Sequence, residues 1–318
     1  MLGAAQFAIC CLFALPRMAW AVLPIPIATC ATLSAPGGVY QVTSDITASG
    51  GGDCIAITAP LVTLELGGHT ITGTGSGIGI HVTARDAAIS NSLATQATVT
   101  GFQTGIQFDP FATRGYVGAT VFIINNSMTG IEIKGANEVS LISVLASGSS
   151  FGLHASNSNG DSATSSSFGS TSPIAATGAE LDQSNASFST SDMAGSDVGL
   201  HLVSSNYNTI FVGSTGHISG TGGIGVWLER SSDNVFPSYG AVSGTGGSGL
   251  NLTQNASRNL FANGLIEGET LVDRGSGQNR ILDSGTAGPA PATDLNPACD
   301  QNVWFDNNFT SVNQSCIR

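Results

Sequence analysis

Gly130-Ile131-Glu132-Ile133, Gly152-Leu153-His154-Ala155, Gly178-Ala179-Glu180-Leu181 and Gly199-Leu200-His201-Leu202 are four successive copies of one pattern: glycine, apolar, variable, apolar. Upstream copies are Gly77-Ile78-Gly79-Ile80 and Gly105-Ile106-Gln107-Phe108; downstream copies are Gly225-Val226-Trp227-Leu228 and Gly249-Leu250-Asn251-Leu252. Successive copies start 21 to 28 residues apart, a period at which each unit buries its apolar side by stacking on the next. Alternation with period two makes each copy a short strand with one face inside. Ile78, Ile106, Ile131, Leu153, Leu200, Val226 and Leu250 are then expected to stack as an interior apolar ladder. The glycine ahead of each strand is expected to supply backbone freedom at a tight corner.

Working outward, a second series follows the first: Asn137-Glu138-Val139, Asn208-Thr209-Ile210, Asp233-Asn234-Val235, Arg258-Asn259-Leu260 and Asn279-Arg280-Ile281. Asparagine tolerates left-handed backbone and can bond to its counterpart one rung on, so these read as structural ladders. Phe188, Phe211, Phe236 and Phe261 recur about once per rung and read as a packing stack. The Ser/Thr/Gly-rich stretch 156–196 carries a copy of the repeat and reads as rungs of small residues. Residues 285–294, with Pro289 and Pro291, read as a linker. The expected organisation is an export signal over 1–21, an N-terminal cap and first strands over 22–60, the helix over 61–284, that linker, and a C-terminal cap over 295–318.

Composition agrees. Of 318 residues 9% are charged, 41% are hydrophobic and 42 are glycine, which favours turns and strands over surface helices and is too apolar for disorder. The net charge is -12 and Lys134 is the sole lysine. Such a chain offers no counterion-releasing surface to nucleic acid, and an anionic membrane surface is disfavoured for the same reason.

Leu2 to Leu15 is largely apolar and Ala19-Trp20-Ala21 fits a cleavage site, so an export signal is expected, with no membrane span once it is removed. Cleavage would remove Cys10 and Cys11. Cys30, Cys54, Cys299 and Cys316 remain, one pair near each end, and of three connectivities the short-range one is expected: Cys30–Cys54 and Cys299–Cys316. Each bridge would contribute about 3 kcal/mol. The expected location is secreted, periplasmic or extracellular.

Val62-Thr63-Leu64-Glu65-Leu66-Gly67-Gly68-His69-Thr70-Ile71-Thr72-Gly73 resembles the opening rung common in right-handed parallel β-helix proteins of the pectin-lyase-like superfamily, and the Gly-Ile-x-Ile and Asn-x-Ile elements are similar to its later rungs. The resemblance, over roughly residues 30 to 283, implies an all-β fold, a single right-handed parallel β-helix solenoid. With the two bridges, its terminal caps are disulfide-closed. It also implies a polysaccharide partner. Gly52-Asp53-Cys54-Ile55-Ala56-Ile57 is similar to the Asp-Asp-Cys-Ile-Ala-Ile element of polygalacturonases, but one aspartate of the pair is missing here and the Asn-Thr-Asp and Arg-Ile-Lys elements are absent, so those catalytic roles are not carried over. Lys134 beside Asp109 and Glu132 faintly matches the calcium-and-base arrangement of pectate lyases.

In a stacked solenoid, equivalent positions lie about 4.8 Å apart and sequence positions become columns. The first outward residue of each copy gives Gly79, Gln107, Glu132, His154, Glu180, His201, Trp227 and Asn251; the second gives His81, Asp109, Lys134, Ser156, Asp182, Val203, Glu229 and Thr253. Six of these sixteen are charged, against 9% of the chain, so one face is chemically different. Neighbouring carboxylates and imidazoles share protons and shift one another's ionisation, and carboxylate pairs carry glycoside hydrolysis. Glu132, His154, Glu180, Asp182 and His201 are the candidate catalytic residues. Asp109, Lys134, Trp227, Glu229 and Arg230 are the candidate substrate contacts. No cofactor is expected beyond the calcium that the resemblance allows. Glu132, His154, Glu180 and His201 could hold a metal, but no motif specifies one. The competing reading is a solvated face with cross-strand pairs on a non-catalytic adhesive solenoid. His69 is expected to be structural and His217 exposed.

Overall fold

The computed structural model describes residues 23–317 except 94, 171–173, 214–215 and 287–289; the expected export signal lies outside the described residues. The described chain is all-β apart from one 3-10 turn, Pro297–Cys299. Its 31 strands form one continuous sheet, wound as a single parallel β-solenoid of about eleven turns. Three strand faces result. The face that carries the repeat stacks Ile55–Ile57, Ile78–Val82, Thr104–Phe108, Thr129–Lys134, Phe151–Ser156, Thr177–Asp182, Val198–Val203 and Ile224–Glu229 in register. It continues into the last residues of the long strands Gly240–Thr253 and Leu260–Val272.

Alternation explains the core. Ile80, Ile106, Ile131, Leu153, Leu200, Val226 and Leu250 are buried, as are Val82, Phe108, Ile133, Leu181, Leu202, Leu228 and Leu252 two positions on. The register corrects the first copy. Ile80, His81 and Val82 pair with Ile106, Gln107 and Phe108, so the true unit is Gly79-Ile80-His81-Val82. Ile78 is only half-buried and lies outside the ladder.

The repeat glycines also have a different role from the expected one. None of Gly79, Gly105, Gly130, Gly152, Gly178, Gly199, Gly225 and Gly249 has positive φ. A Cβ on Gly105, Gly130 or Gly178 would instead meet the carbonyl oxygen of the next rung's glycine at 2.6–2.7 Å. Glycine is required there for close approach of backbone to backbone.

The asparagine ladder is observed from Asn208 onward. The Nδ2 groups of Asn208, Asn234 and Asn259 donate to the Oδ1 of the next member at 2.8, 3.0 and 3.0 Å, and Asn279 donates to Asn302 at 3.3 Å. All are buried and their backbone N–H groups are bonded as well, which meets the requirement on buried amides. Asn137 is not a member: Ser140 pairs with Ser162, so the ladder position there is Val139, followed by Asp161. A buried serine ladder, Ser158, Ser184, Ser205 and Ser231, runs beside it through N–H to Oγ bonds of 2.9–3.0 Å. Phe211 does not join the aromatic stack. It pairs outward with Ser189 and is 41% exposed, while Ile210 fills the interior position. Phe168 packs on Phe188 and Phe236 on Phe261.

The described residues of the expected linker, 285–286 and 290–294, lie within the coil. Arg280–Thr286 and Pro291–Asp294 are strands, paired to Leu260–Val272. The expected C-terminal cap also adds two short strands, Val303–Phe305 and Ser311–Val312. Buried Asp294 closes the ladder by accepting bonds from Asn296, Asn302 and Trp304. The disulfides are Cys30–Cys54 and Cys299–Cys316. Among the described residues no helix is long and apolar enough to cross a membrane.

Candidate functional site

Outward positions of the repeat face carry two polar groupings. The first is a column: Glu132 pairs with His154, His154 with Glu180, Glu180 with His201 and His201 with Trp227. Parallel register makes each carboxylate and imidazole a direct neighbour. His154 Nδ1 lies 3.0 Å from Glu132 Oε1, and His201 Nδ1 lies 2.8 Å from Glu180 Oε2. The outer nitrogens are looser: His154 Nε2 is 3.6 Å from Glu180 Oε1 and His201 Nε2 is 3.7 Å from Glu229 Oε2. His201 Nε2 is buried and has no hydrogen-bond partner. In the neutral form of either ring, an Nδ1 that donates to its carboxylate leaves Nε2 as the lone-pair nitrogen. This is the orientation by which a carboxylate prepares an imidazole as a base.

Burial opposes protonation of His154. The hydrogen bond to Glu132 and the charges of Glu132, Glu180 and Asp182 outweigh it and raise its pKa above the ordinary value. Glu132 is itself buried, and the imidazole supplies the partner that a buried carboxylate needs. Phe151 stacks on the His154 ring at 4.8 Å. Trp227 stacks on His201 at 4.4 Å and donates from Nε1 to Thr253 Oγ1. One face of the indole is thus covered by His201. Glu229 is paired with Arg230, and Asp182 adjoins Ser156 in the second column.

The second grouping lies toward the N-terminus. His81 was expected in the second column beside Asp109; the register places it in the first, next to Gln107, with Thr83 taking the second. His81 Nδ1 is 2.7 Å from Asp53 Oδ2 and His81 Nε2 is 2.9 Å from Asp109 Oδ2. Asp109 Oδ1 accepts from Gln107 Nε2 at 2.7 Å, and Gln107 Oε1 accepts from Lys134 Nζ at 3.3 Å. Burial lowers the affinity of His81 for a proton, but the bonds to Asp109 and Asp53 and their charges reverse this, and its pKa is raised. Asp53 and His81 were not among the candidates. The signal that could have found them is the spacing from Asp53 to His81, 28 residues, close to one turn.

Glu132, His154, Glu180 and His201 do not converge on one point. They run in file along the solenoid axis, and among the described residues no group of three His, Cys, Asp or Glu is arranged to hold a metal ion. His69 lies 3.4 Å from Asp45 near the N-terminal end, away from this column, and His217 is exposed on another face.

No known family profile and no curated protein matches the chain. Among solved structures, the Dettilon tailspike protein is similar at 10% identity and a TM-score of 0.59, over 86% of this chain and 61% of its own. This chain therefore spans less than two thirds of that tailspike. DFA-IIIase from Arthrobacter chlorophenolicus A6, without its lid, is similar at 9% identity and a TM-score of 0.46, over 87% and 79% of the two chains. The A-module of an Azotobacter vinelandii mannuronan C-5 epimerase gives 12% identity and a TM-score of 0.43, over 89% and 86%. At such identities the likeness is one of fold alone, a parallel β-helix.

Proposed function

We propose that this chain is an exported β-helix protein that binds and processes an extracellular or cell-wall polysaccharide along the repeat face. The observation that carries the reading is the file Glu132–His154–Glu180–His201, in which both histidines are oriented through Nδ1 by a carboxylate and keep Nε2 for proton transfer. In this reading Glu132 and Glu180 orient and charge-balance the imidazoles, and Asp182 adds negative potential. His154 and His201 exchange protons with the substrate. Asp109, Lys134, Glu229 and Arg230 contact the polymer on either side. Trp227 supports His201 from beneath more than it offers a free ring to a sugar. Two disulfides suit an oxidising compartment.

A second reading, a non-catalytic adhesive solenoid, is favoured by one specific observation: the histidines and carboxylates of the file already satisfy much of one another's bonding. One experiment separates the two. Wild type and the Glu132→Gln/Glu180→Gln variant are incubated with a panel of neutral and acidic polysaccharides, and both binding and products are measured. Products from wild type alone are expected. Equal binding with no products from either protein selects the adhesive reading, and no binding by wild type defeats both.

A further inference from the structure

After the strand one rung before the file, the solenoid departs from its regular turn. Val82 and Phe108 are paired, and so are Ala88 and Tyr116, so the later turn contains seven residues where the earlier contains five. The extra length forms a reverse turn in which Ala112 N–H donates to Asp109 O at 2.8 Å. Pro110 takes its second position, where its fixed φ suits the turn. A Cβ on Gly135 would sit 3.3 Å from Pro110 Cγ, so the turn lies against the residue that follows Lys134. At its tip Phe111 is 80% exposed.

A single exposed aromatic needs no explanation by itself. What distinguishes Phe111 is its setting. The turn begins at Asp109, the centre of the bonded chain Lys134–Gln107–Asp109–His81–Asp53. Lys134 is exposed and forms no ion pair among the described residues. Its one bond, to Gln107 at 3.3 Å, leaves two ammonium protons to donate. Asp109 retains acceptor capacity beyond its bonds to Gln107 and His81. An exposed aromatic two residues after an acceptor, with a donor on the next rung, matches a pyranose ring, whose C–H face is apolar and whose rim is hydroxyl.

We propose that Phe111, Asp109 and Lys134 form a subsite for one neutral pyranose unit of the bound polysaccharide. Phe111 stacks on the ring's C–H face, Lys134 donates to one hydroxyl oxygen, and Asp109 accepts from a neighbouring hydroxyl. Asp53, Asp109 and Glu132 outnumber Lys134 and His81 even when His81 is protonated, within a chain of net charge -12. A uronate at this position is therefore repelled, whereas a neutral ring is not. The inference rests on the proposed function and adds the chemical class of one unit.

The test uses full-length protein with hexasaccharides of neutral β-linked glucose, mannose and xylose, and with an oligogalacturonate of equal length, in titration calorimetry. Wild type is expected to prefer at least one neutral hexasaccharide. Phe111→Ala is expected to weaken that binding about tenfold, with an unchanged melting temperature because the ring is exposed. Lys134→Met is expected to weaken it by less. Glu180→Gln serves as the control for the file. Full affinity in Phe111→Ala together with loss in Glu180→Gln overturns the subsite and leaves the proposed function standing. Preference for the oligogalacturonate overturns the neutral assignment. Failure of wild type to bind any of the four overturns both.

Discussion

His81 and His201 stand on the same face, five rungs apart, each touching carboxylates, yet their hydrogen bonding differs. His81 has a carboxylate within 2.9 Å of both ring nitrogens. Two close carboxylates favour two N–H donors, and against burial their bonds and charges raise the pKa of the ring. His201 has a carboxylate at 2.8 Å on Nδ1, while Nε2 is 3.7 Å from the next. The difference arises from register. Asp53 and Asp109 reach His81 from rungs on both sides, whereas the file brings one close carboxylate to each of His154 and His201. Residue type alone does not set the bonding of an imidazole; the count of close acceptors does.

The largest effect expected from this contrast is at Glu180, which orients His201 and adds charge beside His154. Glu180→Gln keeps the shape and removes the charge. On any polysaccharide that the wild type degrades, turnover is expected to fall about 10²- to 10⁴-fold, the usual weight of an oriented acid or base, with the melting temperature nearly unchanged. A loss under about threefold would break the contrast, because the file would then not differ functionally from the clamp that Asp53 and Asp109 form on His81.

The fold was almost entirely legible, because rung length and period-two alternation are dictated by backbone geometry and burial. The clamp was not, and the reason is specific. Both Gly77-Ile78-Gly79-Ile80 and Gly79-Ile80-His81-Val82 satisfy the repeat. A shift of two residues preserves which side chains face inward, so hydrophobicity cannot choose the frame. Only the polar partner Asp53 distinguishes them, and Asp53 lies in the preceding turn. Asn137 misled for a related reason: it stands two residues before the inward Val139, but the inward residue equivalent to Ile210 is Leu141, two residues further on. The four-residue file was legible because four consecutive copies kept one frame.

A carboxylate with no imidazole at all extends the comparison. Asp161 occupies the ladder position later filled by asparagine, and it accepts only from Ser158 Oγ and the Val139 N–H. Burial outweighs these two bonds and pushes its pKa up to about 6. A carboxyl with a raised folded pKa favours the folded state below its unfolded value, and that contribution is lost as pH rises through about 6. Above that pH the buried charge costs about 3 kcal/mol. Asp161→Asn restores the ladder residue, with Oδ1 accepting from Val139 and Nδ2 donating to Ser158. Chemical unfolding across pH 4–8 is expected to show the variant more stable than wild type above about pH 6, by up to about 3 kcal/mol, with the gap closing as pH falls. A gap independent of pH would mean that burial of charge is not its origin.

The smallest effect belongs to the clamp itself. Its histidine has a raised folded pKa, so its contribution to stability is complete below the unfolded value near 6.5 and disappears as pH rises through the folded one. Asp53→Asn replaces one carboxylate with an uncharged amide. It is then expected to lower stability by about 1 kcal/mol below pH 6.5, a modest figure because Asp53 is partly solvated. The deficit should vanish above the folded pKa, since there the wild-type ring has lost its charge as well. NMR titration of His81 should show its pKa falling in the variant. With one carboxylate replaced, His81 takes on the arrangement of His201, a single close carboxylate. A titration of His81 unchanged by Asp53→Asn would show that Asp109 alone holds the cation, and the contrast between two-sided and one-sided pairing would then reduce to the identity of a single partner.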